Sequence, residues 1–377
     1  MPLNYLGLQP QIQQYAQNAN QSQAHFRQVL ENARELFKTC ASQPYDEIRK
    51  RCQGSGKRCA LPLGEAFNQS YPPPAEHQLC MVLAADGSQI ISSPHDAIPI
   101  SLINTSLICM NTGSSDAPQI SITSEILSEE RGGIEFNLLS EDLISLRRDV
   151  AELRILKDWN ASNDLPVAAL RDGPLELYHE PRQGDQFERE FNNYIDGLAA
   201  LAARDFTLAG YIDRTRAGLL GQMLAIYFEE RSDGLAELRD TTLLAGILPA
   251  GQRSAIFALQ SSSSDNYPEA LRIHFFYLNV SSNDNDYIVR VEIPAWVAED
   301  TDKVNRLHAL LLAQCRIMGG RPYPYLLHRA HETAVVHFDE KTQLQDALAL
   351  ELQRQGLDVP QPSNKLAAKG LQKRTRM

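Results

Sequence analysis

No CxxC pair occurs in the sequence, although six cysteines stand at positions 40, 52, 59, 80, 109 and 315. The tightest spacing, Cys52 to Cys59, falls in a Gly/Lys/Arg-rich stretch and is too loose for the usual zinc knuckle. Reduced, structurally ordinary thiols are expected instead. Long unbroken apolar runs are also lacking. The most apolar of the long uncharged runs, residues 97–115, is interrupted by Ser101, Asn104, Thr105, Asn111 and Thr112. It could not sit in hydrocarbon without unpaired polar groups. The chain opens on Gln- and Asn-rich sequence rather than on a basic stretch followed by an apolar one, so a cytoplasmic location away from membranes is expected. Basic charge is in short supply too: 36 Lys and Arg face 47 Asp and Glu, a net charge of −11. That is a poor global match for a polyanion. An acidic protein can still hold nucleic acid if its carboxylates gather on metal ions and its basic residues line one groove.

What is present is ample core material, 43 % hydrophobic over 377 residues, enough for two to three units of about 150 residues or one large unit with additions. Residues 1–78 read as a polar, mostly helical extension, with Phe26, Val29, Leu30, Ala33 and Phe37 at helical spacing and a triple proline at 72–74. Strand candidates follow at 80–85, 98–110 and 118–125, then a helix over 140–158 and a buried-looking strand at 166–170. Helix and strand then alternate: helix over 186–203, strand at 206–212, helix over 214–229, and strands at 271–280 and 286–293 around a hairpin loop. A long amphipathic helix over 299–318 ends at Gly319-Gly320. This order predicts an α/β fold around a mixed sheet. The last 19 residues, from Val359, hold five bases and no acid, and read as a solvated tail or a flexible arm for phosphates.

Two strand ends rhyme. Met81-Val-Leu-Ala-Ala-Asp86-Gly87 and Val167-Ala-Ala-Leu-Arg-Asp172-Gly173 both run apolar and then place Asp before Gly. If the strands are parallel neighbours, both aspartates emerge at the carboxyl edge of the sheet, where α/β folds hold ligands. A glycine there permits a sharp turn and leaves room beside the carboxylate. Two close carboxylates repel, and a divalent cation such as Mg²⁺ or Mn²⁺ relieves that repulsion. A third carboxylate from the 140–158 helix is Glu152, Asp149 or Glu141. By the 100° helical step Glu152 lies about 140° from the apolar stripe and reads as solvated. The other dense spot is Arg321-Pro-Tyr-Pro-Tyr325 with His328, Arg329 and His331. Flanking prolines stiffen Tyr323, and the two histidines, three apart, could share one helix face. Histidine is the side chain that ordinarily titrates near neutrality, which suits acid–base work.

The runs Leu83-Ala-Ala-Asp-Gly-Ser-Gln-Ile90, Leu102-Ile-Asn104, Leu170-Arg-Asp-Gly-Pro174, Leu208-Ala-Gly-Tyr-Ile212, Gly251-Gln-Arg-Ser254, Arg290-Val-Glu-Ile-Pro294 and Arg321-Pro-Tyr-Pro through Ala330-His-Glu332 occur in that order. Together they resemble the NurA nuclease family. The resemblance implies a ribonuclease H-like mixed sheet flanked by helices over 79–345, following the helical extension at 1–78 and preceding a helix end and basic tail at 346–377. It also implies a DNA nuclease dependent on Mn²⁺, with Mg²⁺ as the alternative ion. The activity would be of single-strand endonuclease and 5′–3′ exonuclease type. Such enzymes act as homodimers with a HerA-type hexameric ATPase/translocase in DNA end resection and double-strand break repair. The family's metal-binding acidic triad falls on Asp86, Glu152 and Asp172, and its tyrosine and histidine on Tyr323 and His331. Gln252 stands where the family pattern more often has Glu, and the two terminal segments lie outside the pattern. Two other readings fit the carboxylates: a non-catalytic DNA-end-binding or assembly subunit, and a metal-dependent phosphoesterase for a small substrate.

Overall fold

The computed structural model describes residues 3–75, 79–92, 98, 100–127, 139–160, 164–177, 184–281 and 285–357. The 281–284 hairpin loop lies largely outside these, and the basic tail lies wholly outside them. In chain order the elements are α1 (Tyr5–Cys40), α2 (Tyr45–Ser55), β1 (Cys59–Pro62), β2 (Met81–Ile90), β3 (Ser101–Asn111) and β4 (Gln119–Leu127). Next come α3 (Glu141–Asp158), β5 (Val167–Asp172), α4 (Asp185–Ala203), β6 (Thr207–Ile212), α5 (Leu219–Tyr227), α6 (Asp240–Leu244) and β7 (Phe257–Gln260). The order closes with β8 (Ile273–Asn279), β9 (Ile288–Pro294), α7 (Ala295–Ala298), α8 (Thr301–Ile317), α9 (Tyr325–Ala334) and α10 (Phe338–Arg354). The helix expected over 214–229 is shorter at its start, because Asp213 to Gly218 form a loop and the N–H groups of Leu219, Leu220 and Gly221 are taken by the buried Asp240 carboxylate.

The chain divides into two compact units, residues 1–75 with 212–312 and residues 76–211 with 313–377. In the first, β1, β7, β8 and β9 pair antiparallel in that order. The segment 1–75 is therefore not helical throughout: its strand β1 pairs Cys59–Pro62 with Phe257–Gln260 of β7. Arg253 ties the same segment down, donating to both Glu65 carboxylate oxygens at 2.7 and 2.8 Å, while the Ser70 hydroxyl donates to Gln252 at 2.6 Å. Arg290 and Glu292 form a fully buried ion pair at 2.8 Å. Two of the ordered sequence runs thus serve architecture.

In the second unit the strand order is β6-β5-β2-β3-β4, with β6, β5 and β2 parallel and β3 and β4 antiparallel. Helices cover both faces of this mixed sheet, as the resemblance implied. Successive residues of a strand point to opposite faces, and β2 shows it: Gln89 donates to Ser145 of α3, whereas Ser88 donates to the Ala334 carbonyl of α9. Cover on both faces explains why β2 and β3 are buried nearly throughout. Ser140 caps α3, its hydroxyl accepting from the Leu143 N–H at 3.2 Å, with Glu141 and Asp142 favourable in the first turn.

His308, fully buried on α8, donates from Nε2 to the Gly251 carbonyl at 2.9 Å, and its Nδ1 has no partner. Burial pushes its pKa down from 6.5 to about 4, with the Gly251 bond opposing and Arg253 assisting. The folded state therefore excludes a proton that the unfolded chain accepts. The stabilisation is complete above pH 6.5 and is lost as the pH falls towards 4. Urea melts across that window should show a steep acid loss in the wild type and a shallower one in His308→Gln, which keeps a donor but does not titrate. Identical slopes would remove His308 from the account.

Candidate active site

Strands β2 and β5 run parallel in the register Met81↔Val167 to Ala85↔Arg171. Asp86 and Asp172 are the next residues of each strand, on neighbouring strands whose backbones lie about 4.8 Å apart. The two rhyming ends are thus brought together at the carboxyl edge of the parallel pairing. They differ in setting: Asp86 is 8 % exposed and Asp172 is exposed. They also differ in what their glycines do. Gly173 turns the chain, with φ +89°, and its N–H donates to the Tyr211 carbonyl at 2.8 Å. Gly87 does not turn, since β2 continues to Ile90. Its missing side chain makes room on the α3 face, where a Cβ would stand 2.7 Å from Arg148 Cγ and 2.9 Å from Glu152 Oε1.

On the opposite face, α9 sets His331 against Asp86, with Nδ1 2.8 Å from Oδ2. Leu326, Leu327, Ala330 and Ala334 of α9 are buried, and Gln314 accepts from the Leu326 N–H at 3.0 Å, capping the helix start behind Pro324. At the helix end, where carbonyls lack helical partners, Asn104 donates to the Ala334 carbonyl at 2.8 Å, and one turn earlier Ser106 adds a bond to the Ala330 carbonyl at 2.7 Å. His331 is 60 % exposed, so its Nε2 side is open to a substrate. His328 is spent on the surface, 3.4 Å from Glu332. The structure therefore separates two histidines that sequence spacing alone treated alike. Tyr323 packs edge-on against Tyr211, ring centroids 5.4 Å apart, and Tyr211 pairs with Asp172 in the β5–β6 register. Asp86, Asp172, Tyr323 and His331 thus share one face.

Glu152 is elsewhere. It is 3 % exposed, not solvated, and its Oε2 accepts from Arg171 Nε and Nη2 at 2.8 and 2.6 Å. Arg171 also donates to Tyr194 and Asp149, each at 3.1 Å. Glu141 is exposed in the first turn of α3. Burial pushes the Glu152 carboxyl up to about 7 against the pull of Arg171, with Asp149 and Asp86 adding to the rise and Arg148 opposing it. Burial also works against the Arg171 charge, but Glu152, Tyr194 and Asp149 hold it above its ordinary value. The helical stripe misplaced Glu152 because that arithmetic counts only apolar residues, whereas a buried cation on the facing strand draws in carboxylates. The signal was available: one Arg inside an apolar strand, and Asp149 and Glu152 three apart on the next helix.

Among the described residues, no group of three His, Cys, Asp or Glu side chains stands close enough to hold a metal ion. The three carboxylates expected as a triad are not gathered, since Glu152 is held on the α3 face by Arg171. The donors that suit a hard divalent ion are Asp86 and Asp172, a carboxylate pair at one sheet edge.

The family model of the NurA domain matches residues 80–336. Among solved structures, the NurA nuclease from Sulfolobus solfataricus is similar in fold, at 13 % identity and a TM-score of 0.51 over 77 % of this chain and 90 % of that one. Endonuclease V from Ciona intestinalis, in complex with inosine-containing DNA, aligns at 10 % identity and a TM-score of 0.32, covering 71 % and 87 %. Aquifex aeolicus Argonaute aligns at 10 % identity and 0.29, covering 69 % and 28 %. No curated protein matches the chain.

Removing one member of a buried ion pair strands the other. Arg171→Met should therefore cost about 3–5 kcal/mol in urea melts, and Arg171→Met combined with Glu152→Gln should recover part of that loss. A cost below about 1 kcal/mol for the single variant would mean that the pair is solvated.

Proposed function

The chain belongs to the NurA family, and we propose that it is a divalent-metal-dependent deoxyribonuclease, with Mn²⁺ preferred over Mg²⁺. The observation that carries this reading is the Asp86–His331 pair beside the register-equivalent Asp172. Asp86 and Asp172 would hold the ion. Bound there, it would stabilise charge gathering on a phosphate and make water a nucleophile at neutral pH. Glu152, held by Arg171 on the α3 face behind Gly87, stands apart from this pair and would serve as the third acid of the site only by influencing it from that face.

The chain's own groups supply the rest. With Nδ1–H donated to Asp86, His331 is fixed in the tautomer whose Nε2 lone pair faces outward. Nε2 can then take a proton from an attacking water or, once protonated, give one to the leaving oxygen. Tyr323, braced by Tyr211 and the flanking prolines, is placed to donate to a phosphate oxygen or to stack on an end base. Work as a homodimer with a HerA-type translocase in end resection belongs to the same proposal and rests on family membership. A non-catalytic DNA-end-binding subunit is the second reading, favoured by the hold of Arg171 on Glu152.

End-labelled single- and double-stranded DNA incubated with Mn²⁺, Mg²⁺ or EDTA separates the two. Asp86→Asn and Asp172→Asn should each lower cleavage by more than about 10²-fold, because the amide keeps the shape and loses the anionic oxygen. Near-wild-type cleavage in either would place the metal centre elsewhere, and no cleavage by the wild type with any ion would leave the binding-subunit reading. His331→Ala should slow single-turnover cleavage by roughly 10²-fold with DNA binding and melting temperature retained, whereas His328→Ala should be mild. Equal defects in the two histidine variants would deny His331 its special role.

A further inference from the structure

A polar cavity of about 530 Å³ lies wholly within the unit formed by residues 1–75 and 212–312. Its walls carry three arginines, Arg214, Arg216 and Arg239, with the hydroxyl residues Thr241 and Thr242 beside them. Two carboxylates also line it, but both are engaged. Asp213 accepts from the Tyr287 hydroxyl at 2.7 Å, and Asp286 accepts from the Gly246 N–H at 2.6 Å and from Asn279 at 2.8 Å. Arg214 reaches only 3.9 Å from Asp213 and is 88 % exposed. Arg216 and Arg239 make no side-chain hydrogen bond or ion pair among the described residues. With three arginines against two carboxylates, the cavity wall carries a net charge of +1 in a chain whose net charge is −11.

The backbone that carries the arginines is held in place from below. The Asp240 N–H donates to the Ala217 carbonyl at 2.9 Å, which fixes the loop bearing Arg214 and Arg216 against the residue that follows Arg239. Asp240 itself is fully buried and accepts from the N–H groups of Leu219, Leu220 and Gly221 and from the Tyr277 hydroxyl. A fixed backbone spares a ligand the cost of ordering the loop that carries the charge. Arginine's planar fork matches phosphate geometry, and neighbouring threonine hydroxyls add neutral donors of the kind that position a strand without reading its bases. In sequence, the loop begins two residues after Tyr211, the partner of Asp172 in the β5–β6 register.

We propose that this cavity is a phosphodiester-binding subsite that grips the backbone of a nucleic acid strand through Arg214, Arg216 and Arg239. The proposal deepens the nuclease reading and rests on it for the identity of the polymer. The test does not need catalysis. Binding of a labelled oligothymidylate is followed in EDTA over a range of salt concentrations, for the full chain and for Arg216→Gln/Arg239→Gln. Each lost phosphate contact should reduce the slope of log affinity against log salt by roughly 0.7 for a single strand. The double variant should therefore bind more weakly at low salt and lose roughly 1.4 from the slope. Arg216→Lys/Arg239→Lys, which keeps the charge and loses the fork, should restore most of the slope. Thermal melts confirm that each variant is folded. An unchanged affinity and slope in the glutamine variant would overturn the subsite and leave the arginines to an acidic protein partner. If the wild type fails to cleave DNA with any ion but the slope still drops, the nuclease reading fails while the subsite stands.

Discussion

The geometry of the candidate site depends on how the end of α9 is fastened to the sheet. The last carbonyls of a helix have no helical partner, and here Asn104 and Ser88 donate to that of Ala334, while Ser106 adds a bond to the Ala330 carbonyl one turn earlier. Each of these polar side chains is buried or half-buried, so leaving either side unmade would cost the desolvation of both. The small side chains of Ala330 and Ala334 allow the close approach. His331 lies between these two alanines, and the fastening therefore fixes its position over Asp86. Asn104 sits in one of the ordered sequence runs and does no chemistry itself. Its amide also accepts from Ser124 through Oδ1, which ties β4 into the same network.

The sheet divides the acidic residues by strand alternation. Asp86 and Asp172 fall on the α9 face, and Arg171, one residue earlier, falls on the α3 face with Glu152 and Asp149. A buried guanidinium is tolerable only with carboxylates around it, and those carboxylates are in turn held by it. Glu152 gains an anchored position one residue from Asp86, facing Gly87, and any larger residue than glycine there would displace it. The cluster so links the core of α3 and α4 to the sheet edge where the two aspartates stand.

The unit built from residues 1–75 and 212–312 follows a different logic. Its sequence runs at 251–254 and 290–294 supply an arginine each, and both are buried in ion pairs, with Glu65 and Glu292. The Arg253–Glu65 pair joins segments 188 positions apart, whereas Arg290 and Glu292 pair within β9. The same unit leaves Arg216 and Arg239 on its cavity wall with no side-chain partner among the described residues. Buried and exposed arginines here do opposite jobs: the first close the fold, and the second are available to an anion.

Much of this was legible in the sequence. Alternation and apolar runs located the strands, apolar residues at helical spacing located α3, and the repeated Asp-Gly endings marked the two strands that turned out to be parallel neighbours. These signals are local, because period, cap and turn chemistry depend on residues a few positions apart. Non-local facts were not legible. Glu152 looked solvated because nothing local tells a helix that a cation waits on the opposing strand. Residues 1–78 read as a mostly helical extension because the strand that recruits Cys59–Pro62 lies about two hundred positions later. His331 and His328 were separable only by family likeness until α9 was docked, since three residues on a helix turn a side chain by less than a full circle and either could have met Asp86. The sequence by itself determined the elements and the residue types at the sheet edge. Tertiary structure alone decided which faces those residues share, because strand register and helix docking are set by contacts between segments that no single stretch of chain contains.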